Sequence, residues 1–201
     1  MRAFLNDPEL KTGLVAEVRK HREQDQIIKG TYGKMNGVWK GCAVGCSIRS
    51  FNLLRGTDHD TSDHAVYEQF GIPQWLARVQ DTIFEGLPEE RSVLWPEEFW
   101  TAIVPGADLD KVKTPFILFI LRSNLKNFDH AKFPDVKAAI DGVIALYESG
   151  EPSESAAWSA GSAAWSAWES AAAWAAESAA AWAAYVGFAN KLLELLSVNS
   201  R

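Results

Sequence analysis

Apolar side chains recur at every third or fourth position along much of the chain, and the first run sets the pattern. Between Asp7-Pro8 and Gly30, the residues Leu10, Leu14, Val18, Ile27 and Ile28 are spaced through charged neighbours. That period predicts an amphipathic helix to about Lys29, with Asp7 as its N-cap, Pro8 in its first turn and Gly30 as its stop. Gly30 to Gly41 follows, and its glycines and Asn36-Gly37 step mark a loop or a tight hairpin whose strands can only be short. Gly41 to Leu54 is apolar and rich in small residues, the pattern of a buried helix, and Arg55 to Asp63 is a polar turn. Ser62 or Asp63 supplies the next cap.

Further along, Gly71-Ile72-Pro73 and Gly86-Leu87-Pro88 punctuate the pattern, and Trp75, Leu76, Val79, Ile83 and Phe84 hold helical spacing between them. Pro96-Glu97-Glu98, Asp108-Leu109-Asp110 and Pro134-Asp135 read as helix starts, because proline fits the first turn and carboxylates favour the positive end of the helix dipole. Helices are therefore expected near residues 64–70, 73–85, 96–104, 109–125 and 134–148. No stretch alternates apolar and polar residues long enough to make a sheet, so the expected class is all-α.

The last quarter differs in kind. Ser-Ala-Ala-Trp-Ser-Ala occurs at Ser155 and again at Ser162, and Glu-Ser-Ala-Ala-Ala-Trp-Ala-Ala at 169–176 repeats unchanged at 177–184. Alanine favours helix throughout, to about Ser197. An unbroken helix from Pro152 would span about 68 Å, so a break is expected at Gly161 unless the segment projects. On a helical wheel Trp158, Trp165 and Trp168 share one side, while Trp174, Tyr185, Phe188, Leu192 and Leu196 share nearly the opposite side. No Lys or Arg lies between Lys137 and Lys191, so this segment needs a sheltering surface. The organisation expected is a helical body, 1–150, containing the glycine-cysteine loop, and an Ala/Trp segment, 151–201, packed on the body or on a partner.

Composition narrows the function classes. At 201 residues with a net charge of −6, the chain is long enough to bury a core and too acidic for broad attraction to nucleic acid or anionic lipid. The apolar run Pro115–Leu121 is far short of a membrane span. Two closely spaced cysteines, Cys42 and Cys46, form no disulfide framework, and the start lacks the apolar stretch of a signal peptide, so a reducing, cytoplasmic setting is expected.

The chemistry concentrates in Lys40-Gly41-Cys42-Ala43-Val44-Gly45-Cys46. Glycines let a backbone or a ligand come close, amides at a helix start hold anions, and Lys40 adds charge. The competing reading is tight helix packing with both cysteines as small buried hydrophobes. His64 and Glu68 fall four apart on the following helix, with Tyr67 beside them. Cys42-x3-Cys46-x12-His59-x4-His64 meets the loose spacing of a zinc finger, but Asp58, Asp60 and Asp63 lie where such a finger carries basic residues. A thiol nucleophile would need Cys42 or Cys46 activated by His64 and Glu68, with Cys46 near a helix start having a lowered pKa. No phosphate loop, zinc-protease or serine-hydrolase motif is present, so no catalytic residue, metal ligand or cofactor is assigned from sequence.

The Lys-Gly-Cys-Ala-Val-Gly-Cys string, His64-x-x-Tyr67-Glu68-x-x-x-Gly71-Ile72-Pro73, Asp81-Thr-Ile-Phe-Glu-Gly86, Trp95-Pro96 and the Ser-Ala-Ala-Trp repeat together resemble a group of uncharacterised proteins from bacteria and their phages. The resemblance covers most of the chain and implies no reaction. The phage association implies action by binding, including capture of host immune signals. The expected function is a non-catalytic binding protein for a small anionic or nucleotide-like molecule, held by Lys40, Gly41, Cys42, Gly45, Cys46, His64 and Tyr67. Two other readings stand beside it: an interaction module that forms homo-oligomers or takes a protein partner through the Ala/Trp helix, and a cysteine- or zinc-dependent enzyme.

Overall fold

The computed structural model describes residues 1–127, 134–150 and 179–198. The Ala/Trp repeats up to residue 178, the expected break at Gly161 and the expected boundary at 150/151 fall outside or at the edge of the described residues. The fold is all-α: α1 (Pro8–Glu23), α2 (Ala43–Arg55), α3 (Gln74–Gly86), α4 (Glu89–Ser92), α5 (Trp95–Ala102), α6 (Asp110–Asn127), α7 (Pro134–Glu148) and α8 (Ala179–Val198), with two 3₁₀ helices at Ala3–Asn6 and His64–Phe70. The described residues also include a hairpin, β1 (Lys34–Asn36) and β2 (Val38–Lys40), which is antiparallel with Met35 opposite Trp39 and turns at Gly37 with φ +84°. No helix among the described residues is long and apolar enough to cross a membrane.

Residues cluster into two compact units, Met1–Val112 with Ala189–Arg201, and Lys113–Phe188. In the first, α1, α2, α3 and α5 close around aromatic rings. Trp100 is fully buried at the centre, with ring centroids 5.1 Å from Phe99, 5.3 Å from Tyr67, 5.7 Å from Phe70 and 5.9 Å from Phe4. A buried indole must still place its N–H. Trp100 Nε1 donates to Ser47 Oγ at 2.8 Å, and Trp95 Nε1 to the Gln80 carbonyl at 3.0 Å. In the second unit, Leu121, Ile140, Val143 and Tyr147 join α6 to α7 at helical spacing, with Ile117, Leu118, Leu125 and Ile144 packed against them.

Most boundaries follow from the sequence pattern. Asp7 caps α1 by accepting from the Glu9 and Leu10 amides, Asp63 caps the second 3₁₀ helix, and Gly56 closes α2 in the left-handed region. On α8, Phe188, Leu192 and Leu196 form the buried stripe that the helical wheel places there. One expectation is corrected: α1 stops at Glu23, six residues before Lys29. Asp25 turns the chain at φ +52°, and Ile27 then bridges Gly41 in an extended segment, so Ile27 and Ile28 serve a backbone pairing. The second departure concerns residues 64–70, which wind as a 3₁₀ helix. Three residues per turn set Tyr67 above His64 and leave Glu68 exposed, so the expected His64–Glu68 pairing does not form.

The sequence gives no hint of the first turn. Phe4 (φ +54°), Leu5 (+56°) and Asn6 (+62°) are three consecutive left-handed residues, none of them glycine. Each costs about 1–2 kcal/mol. The turn persists because Phe4 is fully buried against Trp100, and because Ala3 exchanges backbone bonds with Ala107 (3.1 Å) and Gly106 (2.8 Å). Leu5 itself is 56% exposed and contributes little packing. Leu5→Gly is therefore expected to stabilise the fold by about 0.5–1 kcal/mol in urea unfolding, strain relief outweighing the added chain entropy. A destabilised variant would show that the turn is not strained.

Candidate functional site

The segment from Lys29 to Gly33 forms a strap across the start of α2 and the side of α3. Its closest approach is backbone on backbone: a Cβ placed on Gly45 would lie 2.1 Å from the Tyr32 carbonyl oxygen. Beside it the Cys42 amide donates to the Thr31 carbonyl at 2.6 Å, and a Cβ on Gly41 would meet the Trp39 ring at 2.6 Å. Both glycines of the Gly-Cys string are thus filled by the protein's own chain. The strap's other edge is tied to α3, where Gly30 N donates to Glu85 Oε1 at 3.1 Å and Lys29 Nζ to the Glu85 and Leu87 carbonyls.

At the centre of this junction lies Asp81. Its Oδ2 accepts from the Tyr32 hydroxyl at 2.8 Å and lies 3.2 Å from His64 Nε2, while the Tyr32 and His64 rings meet edge to face at 5.6 Å. Its Oδ1 is buried with no hydrogen-bond partner among the described residues. One carboxylate thereby joins the strap, the second 3₁₀ helix and α3. Burial, and after it the Asp81 carboxylate, push the Tyr32 phenol upward. The two acids Asp81 and Glu85 stand four apart on α3, a like-charge spacing that an isolated helix disfavours and that signals partners from elsewhere.

Cys42 is the N-cap of α2, and its sulfur accepts from the Gly45 amide at 3.4 Å. Burial raises this thiol to about 12, with the neighbouring Asp81 charge adding to the effect. Burial also drives Cys46 well above the ordinary thiol range, and its S–H reaches the Gly41 carbonyl at 3.4 Å. The expected lowering of the Cys46 pKa is overturned here: removal from water outweighs the helix dipole. Both thiols are protonated and enclosed.

Of the sequence-predicted residues, Cys42, Gly45 and His64 converge on the strap and Asp81. Gly41 bridges Ile27, and Cys46 lies under the string against the Gly41 carbonyl. Tyr67 is fully buried one layer further in, where its hydroxyl donates to Gln80 Oε1 at 2.5 Å. Lys40 is half-buried at the end of β2, paired in register with Lys34. His59 goes elsewhere, with its ring stacked on Phe51 at 6.1 Å. Among the described residues no group of three His, Cys, Asp or Glu side chains is placed to hold a metal ion.

Open space lies on the outer flank of the string. Trp39, Arg49, Asn52, Leu53 and residues 57–61 line a groove of about 610 Å³. Such a volume lies within the usual range of small-molecule sites. Arg49 Cζ sits 4.9 Å from the Trp39 ring centroid, a cation–π contact that orders the guanidinium. The far rim is held by Asn52, whose Nδ2 donates to the His59 carbonyl at 2.9 Å and whose Oδ1 accepts from the His59 amide at 3.0 Å and the Thr57 hydroxyl at 2.9 Å. Asp60 caps its own turn through the Ser62 amide and hydroxyl, which hold its carboxyl below the usual range. Sequence reasoning missed Asp81, Trp39 and Arg49. The acid pair on the predicted helix 73–85 was a readable signal for the first, and no local pattern marks the other two.

Compared with known proteins, the chain matches no family model and no solved structure at a significant level.

The contact of Tyr32 with Gly45 is testable directly. Gly45→Ala forces a methyl into a backbone carbonyl and is expected to destabilise by about 3 kcal/mol or more. A variant that unfolds at the wild-type denaturant concentration would remove the strap from its place on α2.

Proposed function

We propose that this protein binds a small anionic or nucleotide-like molecule without turning it over, and that the ligand seat is the groove beside Trp39 and Arg49. The observation that carries the reading is the ordered guanidinium of Arg49 at the wall of a prebuilt groove of about 610 Å³. A guanidinium plane stacks on a nucleobase and also forks to phosphate or carboxylate oxygens. Asp58, Thr61 and the His59 ring along the same groove offer acceptors and donors to hydroxyl and amino groups of such a ligand. The string Lys40–Cys46 supports the seat from behind, since it starts the helix that carries Arg49. Protonated, enclosed thiols favour binding over cysteine chemistry.

Thermal-shift and calorimetric titrations with mono-, di- and cyclic nucleotides, inorganic phosphate and pyrophosphate test this. Arg49→Ala is expected to weaken the best ligand at least about tenfold, and Arg49→Lys by less, because charge survives while the plane is lost. A well-folded protein that shifts with none of these compounds, or whose shift survives Arg49→Ala, sinks the reading.

One observation favours a second reading, self-association through the C-terminal helix: Trp182, on α8, is 55% exposed. Tryptophan is a preferred anchor of protein contacts. Light scattering of the full chain is expected to give a multiple of the 22.2 kDa protomer mass that Trp182→Ser lowers. A protomer mass at high concentration for both proteins rules it out.

A further inference from the structure

Trp39 has a second neighbour. His21, on α1, lies with its ring centroid 5.2 Å from the Trp39 ring, so that imidazole and guanidinium both lean on one indole. His21 is only 5% exposed. Its Nδ1 is 2.5 Å from Gln26 Oε1, and its Nε2 is buried with no hydrogen-bond partner among the described residues. Burial disfavours the charged form of an imidazole so placed. The groups that act on it are few: burial holds its proton affinity down most strongly, the Gln26 contact and Glu17 oppose that, and the Arg49 charge reinforces it. Of these, Arg49 alone also lines the groove.

We propose that His21, Trp39 and Arg49 form a proton-linked sensor, in which an anion seated on Arg49 draws a proton onto His21. This rests on the groove reading above and adds its regulation. With the cation of Arg49 answered by the ligand, the repulsion that opposes imidazolium disappears, and the Trp39 face can accept the new cation. Linkage makes the effect reciprocal: protonated His21 strengthens anion binding by the same factor by which the anion strengthens protonation. Affinity for an anion therefore rises as the pH falls through the His21 titration. Without ligand the sign is opposite for stability. The lowered folded pKa means that the contribution of His21 is fully present above the unfolded value of about 6.5 and is lost as the pH falls toward and through the folded value.

The test follows the His21 Cε1–H resonance against pH in the full-length protein. In the first arm no ligand is added. Arg49→Gln is expected to raise the His21 midpoint by about one pH unit, a tenfold change in proton affinity, whereas Arg49→Lys keeps the charge and leaves the midpoint near that of wild type. Equal midpoints in wild type and Arg49→Gln overturn the coupling. In the second arm inorganic pyrophosphate is added to wild type, with the Trp39 indole N–H as reporter of the groove. A shifted indole signal with a raised His21 midpoint supports the sensor. A shifted indole signal with an unmoved midpoint overturns the sensor and leaves the binding reading standing. If the indole signal does not move although the first arm succeeds, the groove reading fails for this anion and takes the sensor with it.

Discussion

The Tyr32 carbonyl rests on the start of α2 at a place where only a residue without a side chain fits. A Cβ on Gly45 would come within 2.1 Å of that oxygen, a distance no real Cβ contact shows. The close approach lets the Cys42 amide reach Thr31 and brings the Tyr32 hydroxyl to Asp81. Since Asp81 also meets His64, the placement of the strap fixes the second 3₁₀ helix against α3. That helix in turn delivers Tyr67 and Phe70 to the rings around Trp100. A single missing side chain thus sets how closely these elements can pack.

The same contact decides what the Gly-Cys string can do. Amides at a helix start attract anions when they are open to a ligand. Here Cys42 Sγ takes the Gly45 amide, the strap covers the glycines, and the carboxylates of Asp81 and Glu85 stand alongside. The string therefore works as a packing joint, and the thiols within it are kept protonated by burial. Polar groups face inward for structural reasons in the neighbouring layer as well: the Ser47 hydroxyl accepts from the Trp100 indole and Gln80 Oε1 from the Tyr67 phenol, donors that water cannot reach.

Helix positions were legible because each depends on its own residues. Asp7 and Asp63 act where the sequence places them, and the stripe Phe188, Leu192, Leu196 is buried as its spacing requires. Illegible features depend on distant partners. The end of α1 is set by the pairing of Ile27 with Gly41, and the left-handed turn at Phe4–Asn6 by Trp100 and the 106–107 backbone. Among candidate site residues, the gathering of Cys42 and His64 could be expected from their nearness in sequence. Asp81 as their meeting point could not, because α3 reaches them only in the folded chain. Trp39 likewise takes its place from Arg49 and His21, which flank it only in the folded chain.

The hairpin strap divides two electrostatic settings. On the α3 side stand Asp81 and Glu85, whose Oδ2 and Oε1 accept from the Tyr32 hydroxyl and the Gly30 amide, with His64 beside Asp81. On the α2 side stands Arg49, whose cation rests on the Trp39 indole and pairs with no carboxylate among the described residues. A cation held by a ring face keeps its N–H groups available, since the π cloud stabilises the charge without using the donors. An incoming anion would find the Arg49 donors open, but it would enter a groove that the Asp58 and Asp60 carboxylates also line, so the guanidinium has to outweigh them. The proposed seat on the Trp39 flank therefore depends on a guanidinium that keeps its donors, and on no motif in the sequence.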